Sequence, residues 1–136
     1  MAAPRYMLDT NMASYIIRGP GPVLAARLVA VPMAQLCVSC VTQGELLYGL
    51  ARKPGATSLQ TAVREFLMRL DVLAWDSAAA TRYGALRAAL EAEGTPLGNL
   101  DTLIAAHALS VEAVLVTNDQ AFTRVPALVV ENWVSP

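Results

Sequence analysis

Short apolar runs, each too brief for a helix, alternate along this chain with longer stretches of helical periodicity. Residues 4–8, 35–41, 72–75, 113–116 and 128–131 read as strands, rich in Val, Leu, Cys and Met and bounded by turn-forming residues. Between them lie segments with helical spacing. Residues 11–18 carry Met12, Tyr15 and Ile16 and are stopped by Gly19-Pro20-Gly21-Pro22; residues 23–31 are ended by Pro32. Thr42-Gln43-Gly44-Glu45 has capping-box spacing ahead of Leu46, Leu47 and Leu50, and Pro54-Gly55 breaks that helix. Residues 56–70 place Leu59, Val63, Phe66, Leu67 and Leu70 on one face, residues 77–93 begin after Asp76 and close at Gly94, and residues 101–109 follow a Gly/Pro-containing loop. Strands alternating with helices predict an α/β fold with a parallel sheet and helices on both faces.

At 136 residues, 55% of them apolar and 15% charged, the chain predicts one domain, residues 1–136, with a substantial core, and its composition is not that of a disordered segment. No apolar run is long enough to span a bilayer, and Asp9 falls where the core of a signal peptide would lie, so a soluble, cytoplasmic protein is expected. A net charge of −1 argues against a broad basic surface for non-specific nucleic-acid binding, but not against a nucleic-acid substrate. Nine of the ten basic residues are Arg, the better bidentate phosphate ligand, and the tenth is Lys53. Cys37 and Cys40 cannot complete a zinc site by themselves, and they read as small apolar core residues on opposite faces of a strand.

The carboxylates are placed sparingly. Asp9 and Glu45 are the only acids in residues 1–64, and with Asp101 and Asp119 they sit where an apolar run ends or a helix begins. In a parallel sheet those positions converge at the carboxyl ends of the strands, where open α/β folds bind ligands. Each acid has an ordinary explanation alone: a helix cap for Asp9, the capping box for Glu45, the helix dipole for Asp101, a turn for Asp119. Together they would repel unless a cation lay among them, and oxygen-only ligands suit Mg²⁺ or Mn²⁺. Asn11 and Thr117 are supporting candidates that could orient a carboxylate or a metal-bound water. His107 lies six positions after Asp101, about 240° round a helix, which directs it away from the acids. Tyr48 and Arg52 follow Glu45 at helical spacing and could border a groove, although a core role for Tyr48 and a solvated one for Arg52 are equally compatible with the pattern.

Leu8-Asp9-Thr10-Asn11, Thr42-Gln-Gly-Glu45-Leu-Leu-Tyr-Gly, Asp101-Thr-Leu-Ile-Ala-Ala-His-Ala and Val116-Thr-Asn-Asp119 occur in that order, followed by Arg124-Val-Pro126 and Val130-Glu-Asn-Trp133. The chain resembles the PIN-domain ribonucleases over essentially its whole length, specifically the VapC toxins of toxin–antitoxin pairs. The resemblance implies a three-layer α/β/α domain with a central parallel sheet. It also implies a Mg²⁺- or Mn²⁺-dependent endoribonuclease that cuts structured RNA, with transfer RNA the favoured target, and so arrests translation. Its partner would be a VapB-type antitoxin lying over the active site, such toxins usually form homodimers, and DNA would be reached only through the antitoxin. The site residues carried over are Asp9, Glu45, Asp101 and Asp119. In two respects the chain departs from the pattern: Ala121 stands before Phe122 where many relatives have an acid, and the turn from Asn118 to Ala121 is short. These keep a second reading open, a catalytically weak PIN domain that only binds RNA or antitoxin. A phosphatase using Asp9 as nucleophile fits less well, because Asn11 occupies the place of its second Asp.

Overall fold

Three strands at the centre of the molecule send alternate side chains into two separate cores. Met7, Cys37 and Leu115 point into one; Leu8, Leu36, Val38 and Val116 point into the other. In the computed structural model, which describes residues 4–134, the elements run β1 (Tyr6–Leu8), α1 (Thr10–Arg18), α2 (Gly21–Ala30), a 3₁₀ turn (Met33–Gln35), β2 (Leu36–Ser39), α3 (Cys40–Ala51), α4 (Thr57–Arg69), β3 (Asp71–Leu73), α5 (Ser77–Ala92), α6 (Asn99–Ser110), β4 (Val114–Val116), a second 3₁₀ turn (Gln120–Arg124) and β5 (Val130–Glu131). The sheet order is β3-β2-β1-β4-β5, and every pairing is parallel. Helices α5 and α6 cover the first core with Leu86, Leu90, Ile104 and Leu109. Met12 of α1, Leu24 of α2, Leu46 and Leu50 of α3, and Val63 and Phe66 of α4 fill the second, so the layers are α/β/α as expected. No helix among the described residues is long and apolar enough to cross a membrane.

The order of strands matters more for function than their number. From β1 the chain winds outward to β2 and β3, then returns to the other side of β1 for β4 and β5. The switch point therefore lies between β1 and β4, and a crevice opens there at their carboxyl ends. Register aligns Leu8 with Val116, so Asp9 and Thr117, the next residues, emerge side by side.

Local chemistry moved several boundaries. The second strand was expected over 35–41 but stops at Ser39, whose hydroxyl accepts the Val41 N–H (3.1 Å) and caps α3. Cys40 therefore begins a helix instead of extending a strand. It is half-buried, and its sulfur accepts the Trp75 N–H (3.3 Å). Cys37 alone is a core residue of the expected kind; burial pushes its thiol up to about 12, which makes it inert as a nucleophile. The same early start cancels the capping box proposed at Thr42, which is instead fully buried in the first turn of α3. Helix α6 begins two residues before the predicted start, with Gly98 as its cap, and so holds Asp101 in its first turn.

Candidate active site

Asp9 follows β1 directly and caps α1: the Met12 N–H donates to its Oδ1 (2.8 Å). The Thr117 hydroxyl, from the end of β4, donates to its Oδ2 (2.5 Å). With 3% of its surface exposed, Asp9 is a buried carboxylate held on both oxygens across the switch point. Thr117 also accepts the Asp119 N–H (3.0 Å), and Asp119 in turn accepts the Ala121 N–H (2.9 Å) as the cap of the second 3₁₀ turn. The turn that looked short in the sequence thus draws Asp119 toward Asp9.

Glu45 arrives from α3. The Thr10 hydroxyl donates to its Oε1 (2.6 Å) and lies 3.1 Å from Thr42 Oγ1. Thr10 is thus a site residue that sequence reading missed. Its only signal was adjacency to Asp9, because its partner is 35 positions away. Asp101 completes the group from the first turn of α6. Burial, and then repulsion from Asp119 and Glu45, raise the pKa of Asp101. Burial also raises that of Asp9, and repulsion from Asp101 and Asp119 adds to it, against the hydrogen bonds from Thr117 and Met12. Asp101 is therefore the hub of the group, within electrostatic reach of Asp9, Glu45 and Asp119.

Not every candidate belongs here. Asn11 is exposed on α1 and bonds to none of the four acids. His107 turns away as predicted: it is 1% exposed, and its Nδ1 lies 2.7 Å from Ser39 Oγ at the β2–α3 junction. Burial there lowers its pKa, so the ring is neutral near pH 7 and steadies the start of the helix that carries Glu45. Tyr48 is 64% exposed, which removes the core-packing reading; the Arg52 guanidinium lies 5.5 Å from its ring centre.

The ion pairs among the described residues join Arg27 to Glu131, Arg69 to Glu65 and Arg87 to Glu91. None reaches the four clustered acids. Nor do any three Asp, Glu, His or Cys side chains among the described residues already close around one point. The set fits a hard divalent cation by its chemistry: carboxylate oxygens only, partly desolvated, with no protein cation neutralising them.

A carboxyl with a raised folded pKa binds its proton more tightly in the fold. Its stabilising contribution is complete below the unfolded value near 3.8 and is lost as pH rises through the folded value, so at neutral pH the ionised acids weaken the metal-free protein. Asp101→Asn should therefore raise the melting temperature in EDTA at neutral pH. Because Asp101 is half-exposed and screened, the gain should be only about a few degrees. It should shrink as pH falls toward 3.8, and an equal shift at every pH would contradict the repulsion.

Residues 6–128 match the family model described as PIN domain. The chain is 36% identical over 130 residues to the tRNA(fMet)-specific endonuclease VapC of Shigella flexneri, covering 95% of this chain and 98% of that one. This chain belongs to the PIN-domain family, in its VapC group. Its fold superimposes on VapC in the DNA-bound VapBC structure from Salmonella typhimurium with a TM-score of 0.89 at 35% identity, covering 96% of this chain and 99% of that one. The VapBC2 structure from Rickettsia felis, bound to a DNA fragment from its promoter, gives 0.83 at 35% identity over 94% and 98%. In this PIN domain, then, the parallel sheet and its flanking helices belong to a known architecture.

Proposed function

We propose that this PIN domain is a Mg²⁺- or Mn²⁺-dependent endoribonuclease toxin that hydrolyses structured RNA, transfer RNA foremost, and so blocks translation. In this reading a VapB-type antitoxin holds it silent and links it to promoter DNA. One observation carries the catalytic part: four carboxylates from four different segments lie toward one end of the sheet, Asp101 near enough to Asp9, Glu45 and Asp119 for their charges to repel, with no ion-pair partner for any of them among the described residues. The names of the Shigella and Rickettsia relatives support the RNA and antitoxin parts.

Asp9, Glu45, Asp101 and Asp119 would hold the ion. When bound, it supplies Lewis acidity, lowering the pKa of a water and offsetting charge at the phosphate. Thr117 fixes the orientation of Asp9 and ties it to the Asp119 backbone; Thr10 does the same for Glu45. The one histidine is buried against Ser39, so general-base catalysis by imidazole has no place at this site. Hydrolysis by water leaves 5′-phosphate and 3′-hydroxyl ends and does not consume the RNA 2′-hydroxyl.

An apolar cleft supports the antitoxin part of this reading. A cleft of about 330 Å³ between α1, α2 and α4 is lined by Ile16, Leu28, Val31, Met33, Phe66 and Leu70, an apolar trough of the kind that receives the nonpolar face of a helix.

The decisive experiment is digestion of total cellular RNA by antitoxin-free protein with Mn²⁺ or with EDTA, followed by sequencing of the new 5′ ends. Cuts at a few sites that vanish in EDTA and carry 5′-phosphates are expected. Ends bearing 2′,3′-cyclic phosphate would refute the water route. Folded protein that cleaves nothing would point instead to a PIN domain that only binds.

A further inference from the structure

A second cleft, of about 270 Å³, opens beside the acids and has the opposite electrical character at its far end. Thr10 and Glu45 form its near wall; Arg18, Arg52 and Lys53 line it farther out. The helices explain this polarity. Helix α1 starts at Thr10 and ends at Arg18, while α3 carries Glu45 and is capped by Arg52. Both therefore run from the acid group to the cations, about 10–12 Å at the helical rise per residue.

These cations are not spent elsewhere. None of the three forms an ion pair within the described residues, whereas Arg27, Arg69 and Arg87 do. The helix dipole accounts for a cation in the last turn of α1 or at the cap of α3. It does not account for Lys53, the chain's one lysine, which lies beyond the helix end and faces the same cleft. The Arg52 guanidinium rests over the Tyr48 ring, a contact that orders it without neutralising it.

One glycine also borders the cleft. Gly49 lines it from the interior of α3, where glycine is destabilising relative to alanine. A Cβ built there meets nothing within 4 Å, so packing does not demand the glycine. The base of the cleft is apolar and includes Leu46, Leu50 and Val63.

We propose that this cleft is a phosphate subsite, in which Arg18, Arg52 and Lys53 hold the backbone of the substrate RNA one or more phosphates away from the bond being cut. The inference rests on the nuclease reading and adds where the strand lies. A phosphate at the acids is repelled by them in the absence of a cation; a neighbouring phosphate of the same strand, held at the far end of the cleft, gives affinity and direction without interfering with the reacting one. Exposed Tyr48, one turn after Glu45 on α3 and in contact with Arg52, offers a face on which a base can stack.

The test separates this from catalysis by measuring binding in an Asp9→Asn background, which removes cleavage from the readout. The probe is a fluorescent mixed-sequence RNA oligonucleotide, titrated at several salt concentrations, with circular dichroism to verify folding. Replacing Arg18, Arg52 and Lys53 together by Ala should weaken binding at least about ten-fold and reduce the slope of log affinity against log salt by about 2, at roughly 0.7 per phosphate contact on single strands. Gly49→Gln, which fills the cleft without touching a charge and suits a helix better than glycine, should weaken binding as well. Unchanged affinity and slope in both variants would overturn the proposal. So would a loss confined to antitoxin binding, which would assign the cleft to a peptide. If the variants lose RNA binding while wild-type protein never cleaves, the subsite stands and the nuclease reading falls.

Discussion

Asp9→Asn should leave a folded protein whose RNA cleavage falls by at least about 100-fold, since loss of groups that merely orient a metal ligand costs about 10–100-fold. Asparagine keeps the shape. Its Oδ1 still accepts the Met12 N–H, and its amide can donate to Thr117 Oγ1, so the cap on α1 and the bridge between β1 and β4 survive. Only the charge goes, from a position 3% exposed where no other group replaces it. Millimolar Mn²⁺ should raise the melting temperature of wild type, because a ligand that binds only the folded state stabilises it, and the variant should lose most of that rise. Two assays thus read the same carboxylate. Equal Mn²⁺ shifts in both proteins, or undiminished cleavage by the variant, would remove Asp9 from the site.

Trp133→Ala should be the most damaging of the core substitutions, costing about 3–5 kcal/mol of a total that for such domains is roughly 5–15 kcal/mol. Trp133 is 1% exposed and packs 5.4 Å from the Tyr6 ring on β1. Its Nε1–H donates to Glu131 Oε1 (2.9 Å), the same oxygen that receives Arg27 (3.1 Å), and Arg27 also lies 5.5 Å from the centre of its ring. This one side chain fastens a two-residue edge strand to the sheet. The melting temperature should drop by roughly 10–20 °C. Arg27→Ala, which removes an exposed ion pair while leaving the indole in place, should cost no more than about 1 kcal/mol from that pair. A Trp133→Ala shift no larger than that of Arg27→Ala would show that packing is not what holds β5. The loss should also reach the acids, because the Glu131 carbonyl accepts the Thr117 N–H (3.0 Å) and so anchors the residue that orients Asp9.

What could be read in advance was local. The helix over 57–69 followed from a one-sided run of Leu, Val and Phe, and the one over 77–92 from Asp76 at its start and Gly94 at its end. The boundary errors share a cause. The apolar run over 35–41 hid the cap at Ser39, which accepts the Val41 N–H and is held in place by His107, 68 positions away. Cys40 and Thr42 were misread for the same reason: a residue's place in a helix depends on where that helix starts, and here a distant contact helps to fix the start.

The sequence by itself determined the alternation of strand and helix, hence a parallel sheet, and it placed two acids just past strands, Asp9 and Asp119, and two on helices, Glu45 and Asp101, all toward the end of the sheet where such folds bind ligands. Those are consequences of periodicity and of the geometry of parallel crossovers, which act over a few residues at a time. Tertiary structure decided which groups serve those acids. Thr10 reaches Glu45 across 35 positions, Thr117 reaches Asp9 across 108, and Arg18 comes to face the same cleft as Arg52 and Lys53. Hydrogen bonds and electrostatic fields act through space, and the distance between these groups exists only once the sheet order has folded the chain back on itself at β4.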